Sequence, residues 1–226
     1  GHFIATKWSS SLTDALSSSA KTIEFRIKPT RLVLDPNQHL FTLSGSDQTK
    51  DPTLILTPYT GNDISASNDA SQHGRLDLYI NGASVASSSN FPVFNGGFWN
   101  IYIGVSGSHN IAANINFGAY QANWLKHVSS YTGSPMPTLQ TAADRQLTFG
   151  DPTYGSNNIG GGSTAYFGGI PANNGVKYNN IDGLRFSGSI QEIKYHFGEL
   201  LSHETLKKHA LEPFMYSGNT PSSSLE

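Results

Sequence analysis

Apolar and polar residues alternate with a period of two along much of the chain. In the segment 22–28, Ile23, Phe25 and Ile27 stand between polar residues, which predicts a strand with one buried and one wet face. The segment 75–80 alternates in the same way, and Asn81-Gly82 directly after it suits a type I′ hairpin turn. Further strands are predicted at 38–44, 53–58, 83–86, 98–105, 112–120, 145–149, 164–169 and 186–197.

The last predicted strand changes phase along its length. Its inward positions follow one phase up to Ile190 and the opposite phase from Ile193 onward. One extra residue in a strand has this effect, so the pattern predicts a β-bulge near Gln191-Glu192.

Helical patterns are confined to two places. After the last strand, Ser202 is a suitable N-cap, Leu206, Ala210 and Leu211 form an apolar stripe, and Pro213 ends the run. A shorter helix is predicted over 121–128. The segments 59–74, 129–144 and 150–163 are rich in Gly, Ser, Asn, Asp and Pro and are predicted to be long loops. The expected domain spans 1–214, and 215–226 has the composition of a flexible tail or linker.

Composition limits the classes of function. The 226 residues suit one large all-β domain, and the absence of Cys excludes disulfides, thiolate metal sites and thiol nucleophiles. Charged residues make up 13% of the chain and the net charge is −2, so there is no basic footprint for nucleic acid. No apolar run approaches the roughly 20 residues needed to span a bilayer, and membrane insertion is not expected.

Four segments, taken in order, resemble the concanavalin A-like lectin/glucanase superfamily, and in particular its laminin-G-like jelly rolls. They are the segments 21–29, 74–82, 97–103 and 186–195, and the closing strand is followed by Leu-Ser-His-Glu-Thr-Leu at 201–206, as is common in that superfamily. The resemblance implies an all-β, two-sheet antiparallel jelly-roll sandwich with a short C-terminal helix. It implies nothing about activity, because one fold hosts many functions.

The segment 208–219 is similar to a module found in structural proteins of large DNA viruses. This similarity implies a soluble domain at a virion or cell surface, or in the extracellular space, with other structural subunits as partners. We therefore expect a lectin-like binding or structural module. Glycan recognition and pure assembly are separate hypotheses.

Candidate catalytic groups are sparse. Glucan-cleaving members of the superfamily carry clustered acids on one strand, whereas Glu24, Asp77 and Glu192 are isolated, and each is predicted to be a solvated carboxylate on an outer face. The eight histidines show no close metal-ligand spacing and are predicted to lie at the surface, His196 among them. The chain is predicted not to be an enzyme, and a polysaccharide-cleaving glycosidase or lyase is the less favoured alternative.

Loop aromatic residues are the candidates for carbohydrate binding, because sugar rings stack on exposed aromatic faces. The candidate ligand-binding residues are Tyr154, Asp151, Asn157, Asn158, Tyr59 and Tyr131. The alternative is that these tyrosines lie flat over the sheet ends and cover the core.

No cofactor is required by the sequence, and Ca²⁺ is the one metal that the resemblance implies, at the rim of the sandwich. The rim acids that would suit it are Asp151, Asp63 and Asp69, since Ca²⁺ prefers oxygen ligands. Ordinary turn formation explains the same residues equally well.

Overall fold

Strands and one α-helix account for the regular structure of the residues described by the computed structural model, which are 20–32, 37–44, 53–61, 70–80, 83–106, 114–122, 124–132, 164–167 and 186–214. The strands are β1 (Ala20–Pro29), β2 (Gln38–Ser44), β3 (Thr53–Pro58), β4 (Gly74–Ile80), β5 (Ala83–Ser87), β6 (Trp99–Ser106), β7 (Asn114–Gln121), β8 (Trp124–Thr132), β9 (Thr164–Phe167) and β10 (Gly188–Phe197). The helix is α1 (His203–Leu211), and Ala70–Gln72 form a short 3-10 turn before β4.

In the described part of the chain, two antiparallel sheets of five strands face each other. The first sheet has the order β10-β1-β6-β7-β8 and the second has the order β5-β4-β3-β2-β9. The strands β1 and β10, far apart in sequence, are neighbours in the first sheet, as β2 and β9 are in the second. The predicted two-sheet antiparallel sandwich is therefore confirmed at the level of the fold.

The core lies between the two sheets and contains the alternate apolar residues of each. Phe25, Trp99 and Phe117 come from the first sheet, and Leu54 and Leu76 come from the second; all five are fully buried. Alternation along a strand sends every second side chain to the same face, so the period-two pattern of the sequence becomes this single apolar layer.

The bulge predicted near Gln191-Glu192 is confirmed. Glu24 pairs with Lys194 and Arg26 pairs with Gln191, so that two residues of β10 lie opposite one residue of β1. Glu192 has a φ of 55°, in the left-handed region that a bulge accommodates. Its carboxylate lies 3.5 Å from the guanidinium of Arg26, on the face of the sheet away from the core.

The helix predicted over 121–128 is wrong, because this part of the chain contains strand β8. It follows β7 after two residues and pairs with β7 along its length, with Gln121 opposite Trp124. Edge pairing with β7 satisfies the backbone of a Trp-, Val- and Tyr-containing segment, so tertiary context overrides the local helical pattern. The loop predicted over 129–144 therefore starts later, after Thr132, and the strand predicted at 145–149 lies outside the described residues.

Helix α1 lies on the outer face of the first sheet. The side chain of Ser202 accepts a hydrogen bond from the backbone N–H of Thr205 at 3.1 Å, so the predicted N-cap is confirmed. Leu206 and Ala210 are buried, but Leu211 is 50% exposed and does not belong to the buried stripe. The buried face of the helix packs on tyrosines of β6 and β7, forming a second apolar cluster of Tyr102, Tyr120, Leu201, Leu206 and Ala210.

Thr22 fastens the segment that leads into the helix. Its hydroxyl donates to the carbonyl of Glu199 at 3.1 Å and accepts from the N–H of Leu201 at 3.0 Å. Leu200 packs against Gly104 of β6, where a side chain would crowd it. These contacts set where the chain turns back over the first sheet.

No helix in the described part of the chain is long and apolar enough to cross a membrane.

Candidate functional site

A buried polar cluster lies between the first sheet and helix α1. It consists of Glu24 on β1, Asn100 on β6, His196 on β10 and His209 on α1, and is called the Glu24 cluster below. Glu24 stands between Ile23 and Phe25, which point into the core, so its side chain points to the opposite face of the sheet. Helix α1 covers that face and brings His209 to it.

The carboxylate of Glu24 is the centre of the cluster. Its Oε1 lies 2.7 Å from Nδ1 of His209 and 2.9 Å from Nε2 of His196. Its Oε2 accepts a hydrogen bond of 2.7 Å from the amide of Asn100. The two imidazole rings are stacked, with their centroids 5.7 Å apart and 22° between their planes.

The cluster is closed to solvent. The side chains of Glu24, His209 and His196 are 0%, 1% and 10% exposed. Burial raises the pKa of the Glu24 carboxyl, but the contacts with His196 and His209 and the hydrogen bond from Asn100 outweigh it and lower the pKa to about 2. Glu24 is therefore ionised at neutral pH, and an ionised carboxylate only accepts, so Nδ1 of His209 carries the hydrogen in their shared bond.

His196 completes the cluster less fully than His209. Its Nε2 lies at an ion-pair distance from Glu24, but within the part of the chain that the structure describes this buried atom makes no hydrogen bond of good geometry. Two imidazole nitrogens and one carboxylate oxygen, all within 4.8 Å of one another, are donors that can hold a metal ion. The same three groups can equally share protons among themselves.

Lys194, Arg26 and Glu192 are the charged neighbours of the cluster. Lys194 is paired with Glu24 across the β1–β10 ladder, and its Nζ donates to the carbonyl of Pro213, just past the helix, at 2.7 Å. Burial lowers the pKa of Lys194, while the charges of Glu24 and Glu192 oppose this shift. Lys194 thus also ties the end of α1 to the sheet.

Tyrosines and a histidine form the other polar contact beneath the helix. The hydroxyl of Tyr120 and Nδ1 of His203 are hydrogen-bonded at 2.6 Å. Burial raises the pKa of Tyr120 to about 12 and raises that of Tyr102 further. Both tyrosines stay neutral in the physiological range, so their role here is packing and hydrogen bonding.

Asp77 on β4 is buried on the outer face of the second sheet. Its carboxylate accepts hydrogen bonds of 2.5 Å from both Thr57 and Ser87 and one of 2.9 Å from Nε of Arg75. Asp77 therefore has partners on β3, β4 and β5 and helps to hold these strands together.

His39 on β2 is also buried, and burial lowers its pKa from 6.5 to about 4.

Several solvent-facing predictions are wrong. Glu24 and Asp77 are buried rather than solvated, and His196, His209 and His39 are not surface residues. The alternation placed Glu24 and Asp77 on outer faces correctly, but it carries no information about what covers those faces. One signal was available for His209, which stands three residues after Leu206 and hence on the buried side of the predicted helix.

The predicted ligand-binding residues divide into two groups. Tyr59 lies directly after β3 in the second sheet, half-buried and close to Gly61, and its carbonyl accepts a hydrogen bond of 2.9 Å from Arg31. Tyr131 was predicted to be in a loop, but it lies in strand β8 of the first sheet, because this segment pairs with β7. The structure therefore places these two tyrosines on different sheets. The remaining candidates, Tyr154, Asp151, Asn157, Asn158, Asp63 and Asp69, lie outside the described residues.

Comparison with known proteins yields likeness of fold. No protein-family model and no curated protein sequence matches the chain. The native heptameric SAP-like pentraxin from Limulus polyphemus is similar at 13% identity and a TM-score of 0.47, over 85% of this chain and 70% of that one. The IT-sialidase CBM40 of Ruminococcus gnavus is similar at 12% identity and a TM-score of 0.44, over 92% of this chain and 93% of that one. The marine PL-14 alginate lyase from Aplysia kurodai is similar at 11% identity and a TM-score of 0.43, over 80% of this chain and 70% of that one. At these identities and TM-scores the similarity concerns the fold and carries no argument about function.

Proposed function

We propose that the chain is a non-catalytic binding module with a jelly-roll scaffold, and that carbohydrate is the class of ligand it recognises. The observation that carries the non-catalytic part is the complete burial of Glu24 beneath α1. The Glu24 cluster has the residue types of an acid–base site, but a polymeric substrate has no access to it. Its role is to hold the helix on the sheet.

The other carboxylates of the two sheets support the same proposal. A glycosidase needs two carboxyl groups that flank one glycosidic bond, roughly 5–9 Å apart. Asp77 points away from the core on the second sheet and Glu24 does so on the first, so the whole sandwich lies between them. Glu192 lies on the same side as Glu24, but it is paired with Arg26. Among the described residues, each of these acids is occupied by structural partners.

Carbohydrate recognition is proposed from the tyrosines of the loops and strand ends. Tyr59 is half-buried and lies directly after β3, and an aromatic ring at such a position is of the kind on which sugars stack. Tyr154, with Asp151, Asn157 and Asn158 nearby in sequence, supplies the same combination of aromatic face and polar groups. The alternative is a purely structural assembly domain at a virion or cell surface, with other protein subunits as partners.

A glycan array probed with the purified protein, in Ca²⁺ and in EDTA, tests the proposal. Binding of one glycan class that Tyr154→Ala or Tyr59→Ala weakens supports it, and loss of binding in EDTA assigns the predicted rim Ca²⁺. The bound polysaccharides are incubated with the protein in parallel, and release of reducing ends or unsaturated products overturns the non-catalytic assignment. A blank array in both conditions overturns carbohydrate recognition. Sedimentation of the protein at rising concentration then tests assembly.

A further inference from the structure

We propose that Glu24, His196 and His209 form a site for one divalent transition-metal ion of the Zn²⁺ class, which clamps helix α1 to the first sheet. This site is separate from the loop residues proposed to bind carbohydrate and from the predicted Ca²⁺ ligands. It joins three elements that are distant in sequence, namely β1, β10 and α1.

The donor set fits the ion. Two imidazole nitrogens and one carboxylate oxygen converge, and all three atoms lie within 4.8 Å of one another. Zn²⁺ is held by His and carboxylate ligands of this kind, often with three protein ligands, whereas Ca²⁺ prefers six or more oxygen atoms. The chemistry of the cluster therefore selects a transition metal rather than calcium.

A second observation points independently to a ligand at this place. Nε2 of His196 is buried and directed into the cluster, yet among the described residues nothing forms a well-aligned hydrogen bond with it. Its one close contact, with Oε1 of Glu24 at 2.9 Å, is poorly aligned, and native structures rarely leave a buried polar nitrogen in that state. Once this nitrogen released its hydrogen, its lone pair would bind the ion directly.

Binding would move all three donor atoms, since the two imidazole nitrogens, within 4.8 Å of each other, would also have to reach the separation that the ion sets. Ligand bonds of about 2.0–2.2 Å in a tetrahedron place the donor atoms roughly 3.3 Å apart. Oε1 of Glu24 lies 2.7 Å from His209 and 2.9 Å from His196, so each separation would widen by about half an ångström. Asn100 holds the other carboxylate oxygen at 2.7 Å and would orient this ligand toward the ion. Binding also requires Nδ1 of His209 to release its hydrogen.

The nearby cations are already engaged with other groups. Lys194, whose positive charge opposes a dication, has its Nζ on the carbonyl of Pro213. Arg26 lies on Glu192 at 3.5 Å. Glu24 supplies the negative charge that a buried metal ion needs.

The test uses the full chain, purified without a polyhistidine tag and stripped with EDTA. The protein is titrated with ZnCl₂ by calorimetry and with CoCl₂ by visible absorption, and its thermal midpoint is recorded with and without Zn²⁺. We expect one ion per chain, a Co²⁺ spectrum typical of nitrogen and oxygen ligands in a four-coordinate site, and a higher midpoint with Zn²⁺.

Variants locate the site. His196→Gln and His209→Gln should each weaken Zn²⁺ binding at least tenfold, because each removes a direct ligand. Losing a group that only orients a ligand already costs about 10–100-fold in affinity. His203→Gln is the matched control on the same helix, since His203 is hydrogen-bonded to Tyr120 and is not one of the three proposed ligands; it should bind Zn²⁺ as the parent does. Circular dichroism confirms that each variant is folded.

Two results would overturn the site. One is the absence of Zn²⁺ and Co²⁺ binding by the unmodified chain, a measurement that does not depend on any variant. The other is equal loss of affinity in His203→Gln and in the two cluster variants. Neither result bears on the glycan array, so the metal site and the proposed function fail separately.

Discussion

Replacing Glu24 with glutamine removes the charge of the buried cluster and keeps the size of the side chain. Oε1 receives His209 and Oε2 receives Asn100, so both oxygens of the carboxylate act as acceptors. The carboxamide of glutamine has one oxygen that accepts and one NH₂ group that donates. Its NH₂ group would therefore face the donor of either His209 or Asn100. The variant therefore leaves at least one buried polar group unsatisfied beneath α1.

The size of the effect can be estimated from the pKa or from the hydrogen bonds, which describe the same contacts. The pKa of Glu24 is lowered from 4.5 to about 2, and such a difference between the unfolded and folded states corresponds to about 3 kcal/mol of stability at pH 7. A hydrogen bond to a charged group contributes about 1.5–3 kcal/mol. We expect Glu24→Gln to lower the free energy of unfolding by about 2–3 kcal/mol at pH 7.

The pH dependence has a definite sign. A carboxyl whose pKa is lowered by folding stabilises the protein fully above its unfolded pKa, near 4.5, and this contribution is lost as the pH falls toward 2. The difference between the parent and Glu24→Gln should therefore shrink by about 2 kcal/mol between pH 7 and pH 3.

Urea unfolding followed by circular dichroism, in EDTA, measures both values. Glu204→Gln is the matched control, because Glu204 is 79% exposed and forms only an i,i+4 ion pair with Lys208 on the same helix. It should cost no more than about 0.5 kcal/mol. A loss below about 1 kcal/mol for Glu24→Gln at pH 7, or a difference that does not change with pH, refutes the role given to this carboxylate.

Three further predictions concern other parts of the fold. Burial lowers the pKa of His39 to about 4, so the unfolded chain binds a proton between pH 6.5 and 4 that the folded chain does not. Stability should fall by about 3 kcal/mol as the pH falls across that window, and His39→Gln should flatten the loss; equal free energies of urea unfolding for the parent at the two pH values contradict this. Gly188→Ala should lower the free energy of unfolding by roughly 3 kcal/mol or more, because φ is 140° and a Cβ would collide with the paired strand β1. Gly96→Ala, at φ 79° with no atom within 4 Å, should lower it by only about 1 kcal/mol. Equal losses for the two variants would count against the collision. Leu206→Ala should lower the unfolding free energy by about 2–5 kcal/mol and the half-exposed Leu211→Ala by under about 0.5 kcal/mol, and similar values for both would show that α1 is not packed as described.

Local pattern predicted most of the strands. The bounds expected for β2 and β3, 38–44 and 53–58, coincide with the strands observed at Gln38–Ser44 and Thr53–Pro58. The bulge in β10 and the Ser202 cap were also predictable, because each has a short-range cause in a phase shift or in a hydroxyl three residues before an N–H. Strand β8 was not predictable in this way, since its conformation depends on pairing with β7.

The candidate site shows the same division. Nothing in the segment around Glu24 indicates that a helix nearly 180 residues later will cover it. His196 reaches the cluster because β10 pairs with β1, and His209 because Thr22 and the apolar cluster around Leu206 direct the chain back over the first sheet. The donors come together only through contacts that are remote in sequence.

From the sequence alone, one can determine which side of each strand faces the core, because successive side chains along a pleated strand point to opposite faces. The inward position of Phe25 and the outward position of Glu24 follow from that local geometry, whereas the two-sheet sandwich was predicted from the resemblance of four segments to a known superfamily. Only the tertiary structure decides whether an outward residue meets water or another element. Helix α1 covers the outer face at Glu24, and this burial turns an isolated acid and two scattered histidines into one closed cluster.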